Sequence, residues 1–405
     1  MGTKSKWCAC SAVAFLALFL PPVVSAKVFH VNTRADHPPG NCTSSDCTVR
    51  EAVIAANDAS GDDVVRVPAA NKPYLRKQLC CGDDAGLVGD LDLAAGQTVK
   101  IAGGGAKRTV IDAGAGDRVF QLGTQAQPGG EATISGLTMQ NGHATDGGSG
   151  GGIQTFGALT LRRVVVRDSE TDFSDGGIGL NGGDASLELV KSTVQGNDGG
   201  IFWTTEVTGD IRIESSLIRD NIAAFGGGIF AGGGKFFLYN STVSGNTATE
   251  DPPAGAGGGI YLAPALAVAD IRAATIAGNI ASAGTASNIQ NNCCSVGYGI
   301  RNTIVAKPFG GGVNCEGQPP ISDANNIDDG MTCGFDDATS LELLDAKLAP
   351  LDDNGGPTQT RAIKAASPAK NAGDCPTSFA RDQRGVLRPR GPECDIGAFE
   401  RRPSD

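Results

Sequence analysis

Carboxylates are the groups through which this chain could do chemistry. Asp168, Glu170, Asp172 and Asp175 crowd one short stretch, and Asp198, Glu206 and Asp210 follow at the next turns of a repeat. Two carboxyl groups roughly 5–9.5 Å apart can hydrolyse a glycosidic bond, one as acid and the other as nucleophile or base. A lyase would instead need a base beside the sugar C5 proton and cations against the uronate. Arg162, Arg163, Arg167 and Arg212 are at hand for that. Asp172, Asp175, Glu206 and Arg212 form the candidate catalytic set. The competing account makes them solvated turn residues of an acidic protein.

Aromatic side chains offer a second surface. Phe202, Phe230 and Tyr261 each follow an isoleucine that closes a glycine run. If the isoleucines point inward, strand alternation turns these rings outward, and with nearby Trp203 they could stack sugar rings. The alternative is an apolar strip covered by a loop or by the C-terminal segment. A further outward row is expected from Thr160, Glu188, Arg212, Phe237 and Arg272, with Glu188 and Arg212 as stacked partners. His30, His37 and His143 lie far apart, without zinc-ligand spacing or a serine–histidine arrangement. No phosphate-binding Gly-rich string ending in Lys-Ser/Thr occurs. The run Asp323-Ala-Asn325-Asn326-Ile-Asp328-Asp329 could hold calcium but lacks EF-hand spacing. Calcium stays unassigned, and no other metal or cofactor is expected.

The elements that must position these residues come from a repeat between about Ile134 and Ile304. Ile153, Ile178, Ile201, Ile229 and Ile260 each end a glycine string, and Asn197, Asn221, Asn246 and Asn279 each stand three residues after Val194, Ile218, Val243 and Ile276. Leu189, Ile213, Leu238 and Ile271 precede those aliphatics by five, and Leu161 and Val166 begin a further unit with Ser169 at the asparagine position. The unit length drifts, which places insertions just before the glycines. Short strands repeated at this period indicate a solenoid. The fold expected is a single right-handed parallel β-helix, all-β, one coil per unit. Asparagine is expected to tolerate left-handed φ at one corner and glycine to supply the other.

The 405-residue chain opens with Lys4 and Lys6, an apolar run from Ala12 to Leu20 and Val24-Ser25-Ala26, the pattern of a secretory signal over 1–26. Cleavage would remove Cys8 and Cys10. No later stretch is apolar enough to span a bilayer. With 33 Lys+Arg against 44 Asp+Glu and a net charge of −11, nucleic acid and anionic membranes are poor partners. Remaining cysteines are even in number, as in disulfide-bearing exported chains. Cys42 and Cys47 are close enough to close a loop. Sequence order suggests Cys315–Cys333 and Cys375–Cys394. The doublets Cys80-Cys81 and Cys293-Cys294 read as structural staples, either cross-linked to each other or vicinal; a metal or redox site is the third reading, disfavoured without a Cys-x-x-Cys motif or nearby histidines.

Lys27–Thr33 reads as a strand, and Thr48-Val-Arg-Glu51 as a capping box opening a short helix that covers the first coil. Cys47-Thr-Val-Arg-Glu-Ala-Val-Ile-Ala-Ala-Asn57 resembles the module named for its Cys-Ser-Leu-Arg-Glu-Ala core. Gly89-Asp-Leu-Asp-Leu93, Thr109-Val-Ile-Asp112 and Asp117-Arg-Val-Phe120 are similar to early coils of the same bacterial exported family. Asp353-Asn-Gly-Gly-Pro-Thr-Gln-Thr360, Asp382-Gln-Arg-Gly385 and Cys394-Asp-Ile-Gly-Ala-Phe-Glu400 resemble its choice-of-anchor C-terminal module. The resemblance implies a pectate-lyase-like right-handed β-helix on an exported protein and little about activity. No sorting segment follows within the sequence, so release or loose retention is expected.

These observations divide the chain into a signal (1–26), an N-terminal strand and capping helix (27–60), coils (61–306) and an irregular, disulfide-bearing C-terminal cap (307–405). Two functions follow. One is a secreted or cell-surface protein binding polysaccharide or a surface protein through its outer faces. The other is a polysaccharide lyase or glycoside hydrolase using the coils around 168–212.

Overall fold

The computed structural model describes residues 2, 25–75, 86–172, 175–250, 257–281, 285–292, 298–308 and 312–405, leaving aside the side chains of Ser322, Asp323 and Ser378. Most of the expected signal and both cysteine doublets lie outside the described residues. Three parallel sheets, two of 11 strands and one of nine, run the length of the chain. Each coil contributes one short strand to each sheet, as in Ser186–Val190 (sheet 1), Thr193–Gln195 (sheet 2) and Ile201–Trp203 (sheet 3). This is the single-stranded right-handed parallel β-helix the repeat implies.

The columns fall where the spacing puts them. Ile153, Ile178, Ile201, Ile229 and Ile260 are register partners in sheet 3. Leu189, Ile213, Leu238 and Ile271 align in sheet 1, and Val194, Ile218, Val243 and Ile276 in sheet 2. All are buried. Each aliphatic withdrawn from water contributes roughly 1.5–3 kcal/mol, which a lone coil could not realise.

Beyond Val166 and Val194 the chain turns from sheet 2 toward sheet 3. Here Asn197, Asn221, Asn246 and Asn279 form a continuous ladder, each Nδ2 donating to the next Oδ1 at 2.9 Å across the first three steps. Asn279 hands on to Asn288, then Asn314 and Asp328. At the other end the Ser169 N–H donates to Asn197 Oδ1 at 3.1 Å. These asparagines are not the left-handed residues. Positive φ falls one place earlier, on Asp168, Gly196, Asp220, Gly245 and Gly278, because the asparagine side chain must point inward while its neighbour makes the bend. The glycine runs serve coil-to-coil approach: a Cβ on Gly228 would lie 2.6 Å from the Gly259 carbonyl oxygen. Insertions enter at two corners, since the turns from sheet 3 to sheet 1 also vary (204–209 against 232–234).

Helix α1 (Val49–Asp58) begins with the expected capping box at Thr48 and Glu51 and packs its apolar face on the first coils. Its Arg50 is fully buried. The guanidinium donates to the Asp36 carboxylate at 3.1 Å and to the carbonyls of Gly86 and Gly89 at 2.8 Å and Asp90 at 2.9 Å. The disulfide Cys42–Cys47 closes the preceding loop, and Cys315–Cys333 and Cys375–Cys394 form as expected.

Strands of the three sheets continue past 306 to Glu342, so coils occupy part of the expected C-terminal cap. The rest folds back along the outer face of sheet 2. Gln383 accepts from Thr242 Oγ1 at 2.6 Å and donates to the Ser216 carbonyl at 3.1 Å, and Arg361 donates to Ser244 Oγ at 2.8 Å. Ala277, Ile304, Ala306 and Ile327 on that face share a second core with Leu348, Ile363, Ile396 and Phe399 of the tail. Inside the tail, Asp382 accepts from Arg384, whose guanidinium lies 3.6 Å from the Phe399 ring centroid, and Glu400 accepts from Arg388 at 3.2 Å.

Candidate functional site

A cavity of about 550 Å³ opens at the corner between sheets 2 and 3, lined by Asp168, Glu170, Asn197, Asp198, Asp220 and Ile222 among others. The ladder forms its wall and the coil step sets its spacing. Arg167, Gln195 and Arg219 are register partners, so Asp168, Gly196 and Asp220 share the next column. The two carboxylates stand two coils apart, roughly 9.6 Å at about 4.8 Å per coil. Gly196 between them leaves the gap open. Glu170 and Asp198 sit on adjacent coils one step further round the corner, since the Asp198 N–H donates to the Ser169 carbonyl at 2.9 Å.

Ion pairs fix these groups. Arg167 lies 3.3 Å from Asp168 and Arg219 2.9 Å from Asp220. Arg219 Nε also donates to Gln195 Oε1 at 3.0 Å, Arg167 donates to Gln140 Oε1 at 2.5 Å, and Gln140 donates to Asp112 at 2.7 Å. His143 lies 3.6 Å from Glu170 and 3.5 Å from Asp172. Asp175 is half-buried beside the cavity. Burial raises its pKa to about 6, against the hydrogen bond from Thr171, with the Asp198 charge adding to the rise. Two neighbouring carboxyl groups in different environments are what acid–base division of labour requires.

The expected catalytic set is not one site. Asp172 and Asp175 occupy this corner, whereas Glu206 is exposed in the turn from sheet 3 to sheet 1, and Arg212 lies on sheet 1. The coil here runs from Ile178 to its partner Ile201, so the same step carries Asp175 to Asp198, not to Glu206. Arg212 lies 3.5 Å from Glu214 and 4.7 Å from the Tyr239 ring centroid, while Glu188 pairs with Arg162 at 2.7 Å rather than with Arg212. The outer row of sheet 1 runs Thr160, Glu188, Arg212, Phe237 and then Asp270. Arg272 stands opposite Tyr239, two residues further along, because only odd offsets from the inward Ile271 face outward, and Asp270 is the one aligned with Phe237.

Phe202, Phe230 and Tyr261 do face outward in register. They stack on one another, with centroids 4.9 and 5.1 Å apart and interplanar angles of 27° and 6°. The coil spacing thus turns their faces toward each other and leaves mainly edges to solvent. Trp203 is no part of this surface. It is fully buried, donates from Nε1 to the Gly233 carbonyl at 2.8 Å and packs 5.5 Å from Phe236. The small Ala231 beneath it in the next coil makes room.

The run suggested for calcium is occupied by the protein's own donors. Asp328 accepts from Asn314 at 2.6 Å, Gly330 N at 2.8 Å and Cys333 N at 2.7 Å, and Asp329 accepts from Lys307 N at 3.0 Å. Asp323 lies outside the described side chains. His37, Asp46 and Glu51 also meet, their ligand atoms within 4.8 Å. Glu51 there is engaged by the N–H groups of Gly40 and Thr48, each at 2.8 Å. Sequence reasoning missed Asp220 and Arg219. The dipeptide Arg-Asp, recurring two coils apart at 167–168 and 219–220, was the available signal.

No family model matches the chain, and no curated protein does. Among solved structures it is similar to pectate lyase Pel9A, at 14% identity, covering 94% of this chain and 98% of that one with a TM-score of 0.45. The likeness to the exported family accordingly rests on the cap motifs quoted above. Among the described residues no helix is long and apolar enough to cross a membrane.

Proposed function

We propose that this is an exported β-helix protein of the cell surface or extracellular matrix that binds polysaccharide at the corner between sheets 2 and 3. The observation that carries the reading is the open 550 Å³ cleft whose acceptors, Asp168, Glu170, Asp198 and Asp220, repeat at the coil step. Sugar hydroxyls are donors, and a chain lying along the axis would meet a carboxylate at each coil. Acidic lining favours neutral glycans over uronates, since Arg167 and Arg219 are already paired with Asp168 and Asp220. Three disulfides fit an oxidising compartment. The test is calorimetry of the mature protein with neutral oligosaccharides. Binding that weakens in Asp198→Asn and Asp220→Asn supports the reading. No binding across a broad neutral panel, or binding indifferent to both changes, ends it.

A second reading, glycoside hydrolysis, is favoured by one observation, the Asp175 carboxyl raised to about 6 beside Asp198. Protonated Asp175 would give its proton to the leaving glycosidic oxygen. A carboxylate across the cleft would take a proton from the attacking water, whose oxygen bonds to the anomeric carbon. New reducing ends that vanish in Asp175→Asn would establish it.

A further inference from the structure

On the other side of sheet 2 the charge reverses. Two cavities, of about 360 and 480 Å³, share Lys107, Val165, Thr193 and Pro357 and so make one groove. One wall is the corner between sheets 1 and 2, the other is Pro357 of the folded-back tail. Lys107, Arg108, Arg163 and Lys191 line it, with Arg167 and Arg219 at its far side and Asp353 the carboxylate among its lining residues. The net charge of the whole chain is −11, so this face is basic against an acidic background.

Three further observations bear on it. Among the described residues, Lys107, Arg163 and Lys191 make no ion pair and no side-chain hydrogen bond, unlike Arg162, Arg167 and Arg219. Arg163 and Lys191 occupy left-handed backbone, φ 53° and 52°, in a column whose other coils place Gly136, Ser215, Asn240, Ala273 and Asn302 there, all left-handed too. The conformation costs any residue with a Cβ roughly 1–2 kcal/mol and is a corner of every coil; what sets these two positions apart is the cation each turns outward at that corner. The tail covers this corner further on, where Asn240 donates to the Arg381 carbonyl at 2.9 Å and Asn302 to that of Asp374 at 3.2 Å. Beside the coils that carry the cations it reaches only the rim of the groove, through Asp353 and the Gly356–Gln359 turn.

We infer that the strip of sheet 2 left open by the tail is a groove for a linear, carboxylate-bearing polysaccharide, held by Lys107, Arg108, Arg163 and Lys191. Arg163 and Lys191 stand on adjacent coils, about 4.8 Å apart, with Lys107 and Arg108 across the Gly136 coil from them, a line of cations that suits a polymer bearing carboxylates along its length. The floor of Val110, Val165 and Leu217 suits the apolar faces of sugar rings. Among the described residues no aromatic side chain lines the groove, which removes the stacking platform single-stranded nucleic acid needs. The acidic cleft plays no part in this binding, its ligand chemistry being opposite.

Arg163→Asn and Lys191→Asn suit the test, because asparagine accepts left-handed φ and the fold should hold. The mature protein is titrated with alginate at low and high salt, with unmodified dextran and single-stranded DNA as comparisons. Expected are alginate binding that salt weakens and a roughly tenfold loss in the double variant, with the melting temperature kept. Asp198→Asn should leave alginate binding unchanged, which separates this groove from the cleft. Absence of alginate binding, equal binding by the double variant, or equal affinity for dextran or DNA would overturn the inference.

Discussion

Replacing Asn221 by alanine cuts the ladder behind the acidic cleft at its middle. The side chain is fully buried. Its Oδ1 accepts from the Asn197 backbone N–H at 3.1 Å and from Asn197 Nδ2 at 2.9 Å, while its Nδ2 donates to the Val194 carbonyl at 3.2 Å and to Asn246 Oδ1 at 2.9 Å. Alanine satisfies none of these. Asn197 Nδ2 keeps the Val166 carbonyl, and Asn246 Oδ1 keeps the Asn221 backbone N–H. The Asn197 N–H and the Val194 carbonyl lose these partners in a place water does not reach. At about 1–3 kcal/mol for each unsatisfied buried group, the loss should be roughly 3–5 kcal/mol with the small cavity included. Denaturant midpoints at constant slope measure it. Asn197→Ala in the same background should add less than its own cost, because the two share bonds. A loss under about 1 kcal/mol, or strict additivity, would refute the account of the ladder as a coupled chain.

Three other outcomes follow from the same geometry. Asp175 has a folded pKa of about 6 against 3.8 for an aspartate side chain free in water, so the native protein holds a proton that the unfolded chain releases between those values. Its contribution to stability is therefore lost as pH rises from about 4 to 6 and stays lost above. Asp175→Asn should be more stable than the parent by roughly 1–2 kcal/mol at pH 7.5, after discounting for partial solvent access. It should equal the parent below about pH 4. A difference independent of pH in thermal melts would contradict this. Arg50→Lys keeps the charge but loses the planar fork that reaches Asp36 and four carbonyls. A loss of roughly 2–4 kcal/mol and early proteolysis before the first coil are expected, and wild-type resistance would deny the cap its role. Gln383→Ala removes the bonds to Thr242, Ser216 and Thr358. Limited proteolysis should then release the tail after 342 while leaving the coils intact.

How much of this was legible depends on what the repeat constrains. Spacing within a unit is fixed by strand length, so Ile201, Leu189, Val194 and Asn197 could each be placed in a column from counting alone. Trp203 was legible too: alternation from an inward Ile201 turns Phe202 out and Trp203 in again, and the bulk of the indole masked that parity. The carboxylates were harder. Which one lies over which depends on turn length, and turns differ from coil to coil. The same step that joins Asp175 to Asp198 leaves Glu206 on another corner. The tail's position had a faint signature. Outward residues of sheet 2 shrink from Leu217 and Arg219 to Thr242, Ser244, Thr275 and Ala277, as a face must where another layer packs on it.

Stacking at one fixed step explains why some ladders became structure and others remain surface. A flat ring repeated at about 4.8 Å meets its neighbour face to face, so Phe202, Phe230 and Tyr261 satisfy one another. A carboxylate repeated at that step repels its neighbour unless an arginine neutralises it or a glycine spaces it. Asp168, Gly196 and Asp220 use both devices, with Arg167 and Arg219 alongside. Asparagine carries donor and acceptor in one short side chain, so it can bond to its copies above and below, and the column it fills is buried. Around sheet 2, carboxylates gather at the edge toward sheet 3 and cations at the edge toward sheet 1. Between those edges the tail leaves the coils before Ser216 open. On this account a ligand of either sign should leave Asn240→Ala and Thr242→Ala variants binding normally, since both positions lie under the tail.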